Sequence, residues 1–218
     1  MVQSGFGFWK IVLTTIVTVL FFAAFTAVAS ADTYYVATTG DDDIGDGSSG
    51  NRWRTIQHAV NTITDGNTII VRDGTYTENV NVNKPHLTIR SENGAEKTIV
   101  YAANPDDDVF FISPRAGFSG ISGFTIKGGN RGIRLHCAHS IISNNKINSN
   151  EGGIFVNWNG YNAITNNNIS DNGYGIVLYN SGWNTITKNT IISSNGAGIS
   201  FRTLPPLIKA TLFISITL

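Results

Sequence analysis

An all-β solenoid of short parallel strands is what this chain's sequence predicts, on three observations. From Gly132 to Phe201 the chain repeats itself about every 22 residues: Gly132-Ile133-Arg134-Leu135, Gly153-Ile154-Phe155-Val156, Gly175-Ile176-Val177-Leu178 and Gly198-Ile199-Ser200-Phe201. A second block recurs between them, with Ile142, Asn145 and Ile147 answered 22 positions later by Ile164, Asn167 and Ile169, and again by Ile186, Asn189 and Ile191. Within each unit the apolar residues alternate, which is a strand period. A fixed period of this length marks one supersecondary unit stacked on copies of itself.

Residues 1–31 read as a signal peptide. Lys10 precedes an apolar run from Ile11 to Val28, and Ala29-Ser30-Ala31 follows as a small-x-small cleavage site. An uncleaved membrane anchor is the alternative, because the run is almost long enough to span a bilayer. Either way the remainder is exported. Residues 32–66 form an N-terminal cap segment. Here Tyr34-Tyr35-Val36 and a loop at 38–50 precede a helix with Thr55 as N-cap and Ile56, Ala59, Val60 and Ile63 on one face. Such a lid covers the open end of a strand stack, whose bare edge would recruit other chains.

Residues 67–203 form the solenoid. Early strands are expected at 67–71, 79–82, 87–90, 98–101, 109–112 and 121–126. Asp73-Gly74 and Asn93-Gly94 supply turns, and an insertion around 95–108 lengthens one connection. Stacking the coils at about 4.8 Å pairs each strand in parallel with its copies. Alternation then points Phe110/Ile112, Ile133/Leu135, Ile154/Val156, Ile176/Leu178 and Ile199/Phe201 inward. Asn145, Asn167 and Asn189, with Phe124 one coil earlier, stack at a bend as a hydrogen-bonded ladder. The apolar tail at 204–218 lacks asparagine and glycine. It is too short to cross a membrane, and reads as a capping strand or as the abnormal end of a fragment. Cys137 is alone, so no intrachain disulfide forms, and its register makes it a buried thiol rather than a reactive one.

Fifteen basic and fifteen acidic residues leave a net charge of zero. No basic stripe is present, which argues against a nucleic-acid partner.

The Gly-Ile-x-Leu and Asn-x-Ile repeats resemble those of right-handed parallel β-helix proteins, in particular the NosD-type repeats of the carbohydrate-binding and sugar-hydrolase group. Tyr34-Tyr35-Val36, Gly40-Asp41 and the run from Trp53 to Val60 resemble the capping segment of pectate-lyase-like β-helices. The run from Asn67 to Val80 is similar to their first coil, so the resemblance covers residues 34 to about 201. It implies a right-handed parallel β-helix solenoid with an N-terminal capping helix. It says little of function, because this architecture hosts lyases, hydrolases, epimerases, adhesins and inert surface proteins.

Three chemistries follow. A pectate lyase, as the resemblance implies, needs several carboxylates for calcium and a basic residue, yet from Gly117 to Phe201 the only acids are Glu151 and Asp171. A glycoside hydrolase needs two carboxylates roughly 5–10 Å apart. Register places Asp108 over Arg131 and Asp107 over Asn130, with Glu151 one coil on. Asp107, Asp108, Glu151 and Arg131 are therefore the candidate catalytic residues, against the alternative of a surface ion pair in solvated turns. A binding role draws on the outward rows Phe111, Arg134, Phe155, Val177 and His136, Asn157, Tyr179, Arg202, with Trp158, Tyr161, Tyr174 and Trp183 in adjoining turns. Arg134, Phe155, Asn157, Tyr179 and Trp158 are the candidate substrate-binding residues, their apolar faces and polar rims suiting sugars. Plain cross-strand stacking is the alternative.

NosD relatives carry a copper-binding label. Of the four histidines only His136 and His139 lie near Cys137, and alternation puts His136 and Cys137 on opposite faces, so no metal site is expected. No cofactor is expected either. Calcium at the acidic loop 41–46 is the one alternative, and a solvated turn is favoured there. Asn168-Ile169-Ser170 is a glycosylation sequon, relevant only in a host that glycosylates its exports. Together these features read as a secreted, cell-surface or envelope protein that binds polysaccharide or serves as a scaffold. The alternative is a polysaccharide lyase or glycoside hydrolase acting on acidic glycans. Membrane contact is expected only through an uncleaved leader.

Overall fold

A computed structural model describes residues 31–192, 196–202 and 213–217, the last five as backbone. The leader at 1–30 and the tail at 204–212 lie outside the described residues.

The strands recur in threes, one per face of a parallel β-helix. The first face stacks β1 (Thr33–Val36), β2 (Thr68–Val71), β5 (Thr88–Ser91), β8 (Gly120–Ser122), β11 (Ile141–Ser143) and β14 (Ala163–Thr165). The second stacks β3 (Gly74–Thr77), β6 (Thr98–Tyr101), β9 (Thr125–Lys127), β12 (Lys146–Asn148) and β15 (Asn168–Ser170). β17 (Thr185–Ile192) runs through the bend and pairs with both, joining the two faces into one hydrogen-bonded sheet. The third face stacks β4 (Val80–Val82), β7 (Phe110–Ile112), β10 (Arg131–Leu135), β13 (Gly152–Asn157), β16 (Tyr174–Tyr179) and β18 (Ile199–Arg202). β19 (Phe213–Thr217), within the expected apolar tail, pairs in parallel with β17.

Register follows the repeat. Ile133 sits against Phe110 and Ile154, Leu135 against Ile112 and Val156, and Ile154 against Ile176. These stacks are buried as expected, except in the last coil, where Phe201 pairs with Leu178 yet is half exposed. Cys137 is buried, its Sγ 3.3 Å from Ser140 Oγ. The expected strand at 121–126 is two strands, because Gly123 adopts φ +80° and turns the chain between β8 and β9. The Asp73-Gly74 turn opens directly into β3, a strand the dipeptide signal concealed.

Close approach explains the repeated glycine of the third face. A Cβ on Gly132 would lie 2.5 Å from Ile147 Cγ2 and 2.9 Å from the Gly153 carbonyl oxygen; Gly153 and Gly175 meet the same obstruction one coil on. Coils packed this tightly have no room for a methyl group.

Asparagine ladders occupy all three corners. At the first, Asn145 and Asn167 each take the next coil's asparagine as acceptor, Asn145 N donating to Asn167 Oδ1 (3.0 Å) and Asn167 N to Asn189 Oδ1 (2.9 Å). Phe124 N donates to Asn145 Oδ1 at the ladder's start. Asn150 and Asn172 repeat the arrangement at the second corner, Asn162 and Asn184 at the third. Each side chain satisfies backbone groups that a sharp bend would otherwise strand in the interior.

Helix α1 (Ile56–Thr62) is the expected lid. Thr55 caps it by accepting from His58 N, and Ile56, Ala59 and Val60 are buried against β1, β2 and β4. The carboxylate of Glu78 accepts from the first two helical amides, Ile56 N at 3.0 Å and Gln57 N at 2.9 Å. At the other end Lys84 Nζ donates to the Asn61 and Ile63 carbonyls, which suits the negative end of the helix.

Candidate functional site

The third face carries the expected rows. In the first, Arg134 lies between Phe111 and Phe155, and Phe155 pairs with Val177. In the second, Asn157 pairs with Tyr179 and Tyr179 with Arg202. Period-two alternation turns these side chains away from the core that their neighbours fill, although Val177 is itself buried.

Charge on this face is organised around Asp108. Its carboxylate takes Arg131 Nη1 at 3.1 Å and stands 3.7 Å from Arg134 Nη1, and the side chain is only 9% exposed. Each guanidinium also lies over a ring: Arg131 over Phe155 (4.7 Å), Arg134 over Phe111 (5.2 Å) and Arg202 over Tyr174 (5.5 Å). One acid thus holds two arginines in fixed, partly desolvated positions, where cation–π contact adds to the ion pair. Arg134 Nε and Asn157 Oδ1 are buried without a hydrogen-bond partner. Burial, with Arg134 nearby, pushes the His136 imidazole below its ordinary pKa.

Two clefts open here. One of about 230 Å³ is lined by Arg131, Glu151, Phe155, Tyr174, Val177 and Arg202 among others. The other, about 340 Å³, runs past Asn79, Asn81, Asp107, Asp108, Phe111 and Arg134.

The expected acid column exists. Asn130 N bonds to the Asp107 carbonyl and Gly152 N to the Asn130 carbonyl, which sets Asp107, Asn130 and Glu151 in successive coils. Two rises, about 10 Å, separate the outer pair along the axis. Both carboxylates already have partners: Asp107 accepts from Asn104 Nδ2 (2.7 Å) and Glu151 from Asn130 Nδ2 (3.3 Å). The structure therefore brings Asp108 and Arg131 together and leaves Asp107 and Glu151 on the rim.

Trp158 is 57% exposed and meets Tyr179 edge-on at 5.8 Å, while Phe155 and Tyr179 are roughly parallel at 6.4 Å. Tyr161 and Trp183 belong elsewhere. They end a ladder of stacked rings at the corner between the third and first faces: His86, Phe118, His139, Tyr161 and Trp183, with centroids 4.6–6.1 Å apart. Interplanar angles of 4–15° mean that each ring covers its neighbour's face. His139, Tyr161 and Trp183 are spaced by the 22-residue period, so the sequence carries a signal of the ladder. All five have φ near +60°. Left-handed backbone costs a bulky residue about 1–2 kcal/mol, and each stacked pair returns about 0.5–1.5 kcal/mol. Four stacked pairs therefore offset only part of the strain of five left-handed residues.

In the acidic loop 41–46, Asp41 and Asp46 serve local turns and Asp42 ties the loop to the start of α1. Asp41 Oδ1 accepts from Asp43 N and Ile44 N, Asp42 from Arg54 N and Thr55 Oγ1, and Asp46 from Ser48 N. Copper finds no fit among the described residues, where no group of three or more His, Cys, Asp or Glu converges. His136 lies on the outer face and Cys137 in the core, while His139 is stacked between Phe118 and Tyr161. No helix among the described residues is long and apolar enough to cross a membrane.

The chain is 40% identical over 95 residues to a cell surface glycoprotein of Methanothermus fervidus, a match covering 42% of this chain and 15% of that protein. Among solved structures it resembles open reading frame 18 of Geobacillus virus E2 (TM-score 0.63, 17% identity, covering 94% of this chain and 43% of that one). It also resembles an alginate lyase of a Paenibacillus species (TM-score 0.59, 16% identity, 79% and 64% covered). At these identities the solved structures establish the fold alone, and the chain spans less than two thirds of each of these relatives. A family model described as periplasmic copper-binding protein (NosD) matches residues 28–204, so this parallel β-helix belongs to the NosD family.

Proposed function

We propose that this is an exported cell-surface or envelope protein whose third face holds polysaccharide. The observation that carries the reading is the outward row of Arg134, Phe155, Asn157 and Tyr179, flanked by two open clefts. Fixed guanidinium groups and exposed ring surface beside amide side chains offer a sugar both apolar contact and hydrogen bonds. The exported setting draws on the leader motif and on the cell-surface relative.

The second reading is cleavage of acidic glycans, favoured by the axial separation of Asp107 and Glu151 beside Arg131. Chain-length analysis of a polysaccharide panel after incubation with the protein, with and without calcium, separates the two. The binding reading predicts unshortened chains with protein retained on one of them. Shortened chains abolished by combining Asp107→Asn, Asp108→Asn and Glu151→Gln would establish the enzyme instead. Neither cleavage nor retention would leave a scaffold.

A further inference from the structure

The corner ladder is spatially separate from the third-face clefts and plays no part in the function proposed above. At the two other corners the left-handed positions hold Asn144, Asn166 and Lys188, or Ser149 and Asp171, residue types that tolerate this backbone or face solvent freely. At this corner every coil from His86 to Trp183 places a ring there, and Phe118, Tyr161 and Trp183 remain 45–57% exposed. The left-handed backbone alone does not call for rings, since the other corners meet it with asparagine, serine and aspartate.

The exposed surface of the ladder consists of ring edges. The imidazoles of His86 and His139, the Tyr161 hydroxyl and the Trp183 indole N–H make no hydrogen bond with the described protein, so four of five rungs keep an unused polar group. Aromatic C–H edges are the positive part of the ring quadrupole and favour oxygen-rich surroundings. From His136 onward the corner segments 136–140, 158–162 and 180–184 contain no Asp, Glu, Lys or Arg.

These properties select one class of ligand. Base stacking needs free ring faces, and here neighbouring rungs cover them. An anionic polymer would find no lysine or arginine along the last three rungs. An extended peptide advances about 3.3 Å per residue, out of step with a comb whose teeth stand 4.6–6.1 Å apart. One sugar of an extended β-linked glycan is comparable in length to the spacing between rungs, 4.6–6.1 Å, and presents a hydroxyl rim at each step. We infer that the ladder is a second carbohydrate site, holding an uncharged extended glycan parallel to the solenoid axis with one sugar per rung.

The test is calorimetric titration of the protein with uncharged β-1,4-linked glucose and xylose oligosaccharides of two to eight units. Affinity is expected to rise with length and level off near five sugars. Combining Tyr161→Phe and Trp183→Phe keeps the stack and removes two edge groups. That variant should bind about 10-fold or more weakly, each lost hydrogen bond accounting for roughly 3–10-fold, with its melting temperature unchanged. Combining Phe155→Ala and Tyr179→Ala on the third face should leave this affinity intact. No binding of either hexaose at millimolar concentration would overturn the inference. So would affinity independent of length, equal binding by the Tyr161→Phe, Trp183→Phe variant, or loss of binding in the third-face variant, which would move the site there. Failure of the third-face proposal is read separately, by retention on the polysaccharide panel that the Phe155→Ala, Tyr179→Ala variant keeps undiminished.

Discussion

Replacing Asn167 by alanine should cost more stability than any exposed substitution in the solenoid. Its Oδ1 accepts from Asn145 N (3.0 Å) and Asn145 Nδ2 (3.1 Å). Its Nδ2 donates to the carbonyls of Ile142 (3.0 Å) and Thr165 (3.1 Å) and to Asn189 Oδ1 (3.0 Å). Asn145 Nδ2 keeps the Ile121 carbonyl, and Asn189 Oδ1 keeps the Asn167 amide. The Asn145 amide loses its acceptor inside the protein. One buried donor left unmade costs about 1–3 kcal/mol, and weakening the remaining bonds brings the loss to about 3–5 kcal/mol, a large share of a typical folding free energy. For a domain of this size that lowers the melting temperature by roughly 10 °C. Thermal and urea unfolding of Asn167→Ala beside the exposed neighbour Asn168→Ala provides the assay, with Asn168→Ala expected within about 0.5 kcal/mol of the parent. Equal stability of the two variants would refute the ladder as an energetic element.

Gly153→Ala should destabilise the third face by about 1–3 kcal/mol through overpacking, because the new methyl collides with the next coil; unchanged thermal unfolding would contradict this. Asp108→Ala leaves Arg131 and Arg134 adjacent without their shared acid. It should lower stability by about 1–3 kcal/mol, less in high salt, as read by urea unfolding at two ionic strengths. Burial raises the Glu78 carboxyl pKa above its ordinary value, while the Gln57 and Ile56 amides hold it back. A raised folded pKa means stability that is complete below the unfolded value, about 4.3, and declines as pH rises through the folded value. Glu78→Gln should therefore lose less stability than the parent across that window; parallel pH profiles would show that Glu78 does not titrate differently on folding.

Much of the fold was legible because a solenoid writes its contacts into its period. Ile133, Ile154 and Ile176 occupy the same position in successive coils, so alignment within the chain gives the register directly. Bends were harder to read. Gly123-Phe124 looked like the middle of one strand, since a single positive-φ residue leaves no mark on apolar alternation. The pairing of Asp108 with Arg131 followed from register alone, but Arg134 reaching back to the same carboxylate is a matter of side-chain length and direction. The ring ladder was half visible. Tyr161 and Trp183 stand out as turn aromatics, whereas His86 and Phe118 precede the regular 22-residue spacing, and the insertion around 95–108 between them hides their alignment.

The central claim, that the third face holds polysaccharide, is tested most directly by affinity electrophoresis of the protein through gels containing individual glycans. The Phe155→Ala, Tyr179→Ala variant runs beside it after its melting temperature has been matched to the parent's. Retardation of the parent on at least one glycan, lost in the variant, is the predicted result. Equal retardation of the two proteins, or free migration of the parent through every glycan, would contradict it.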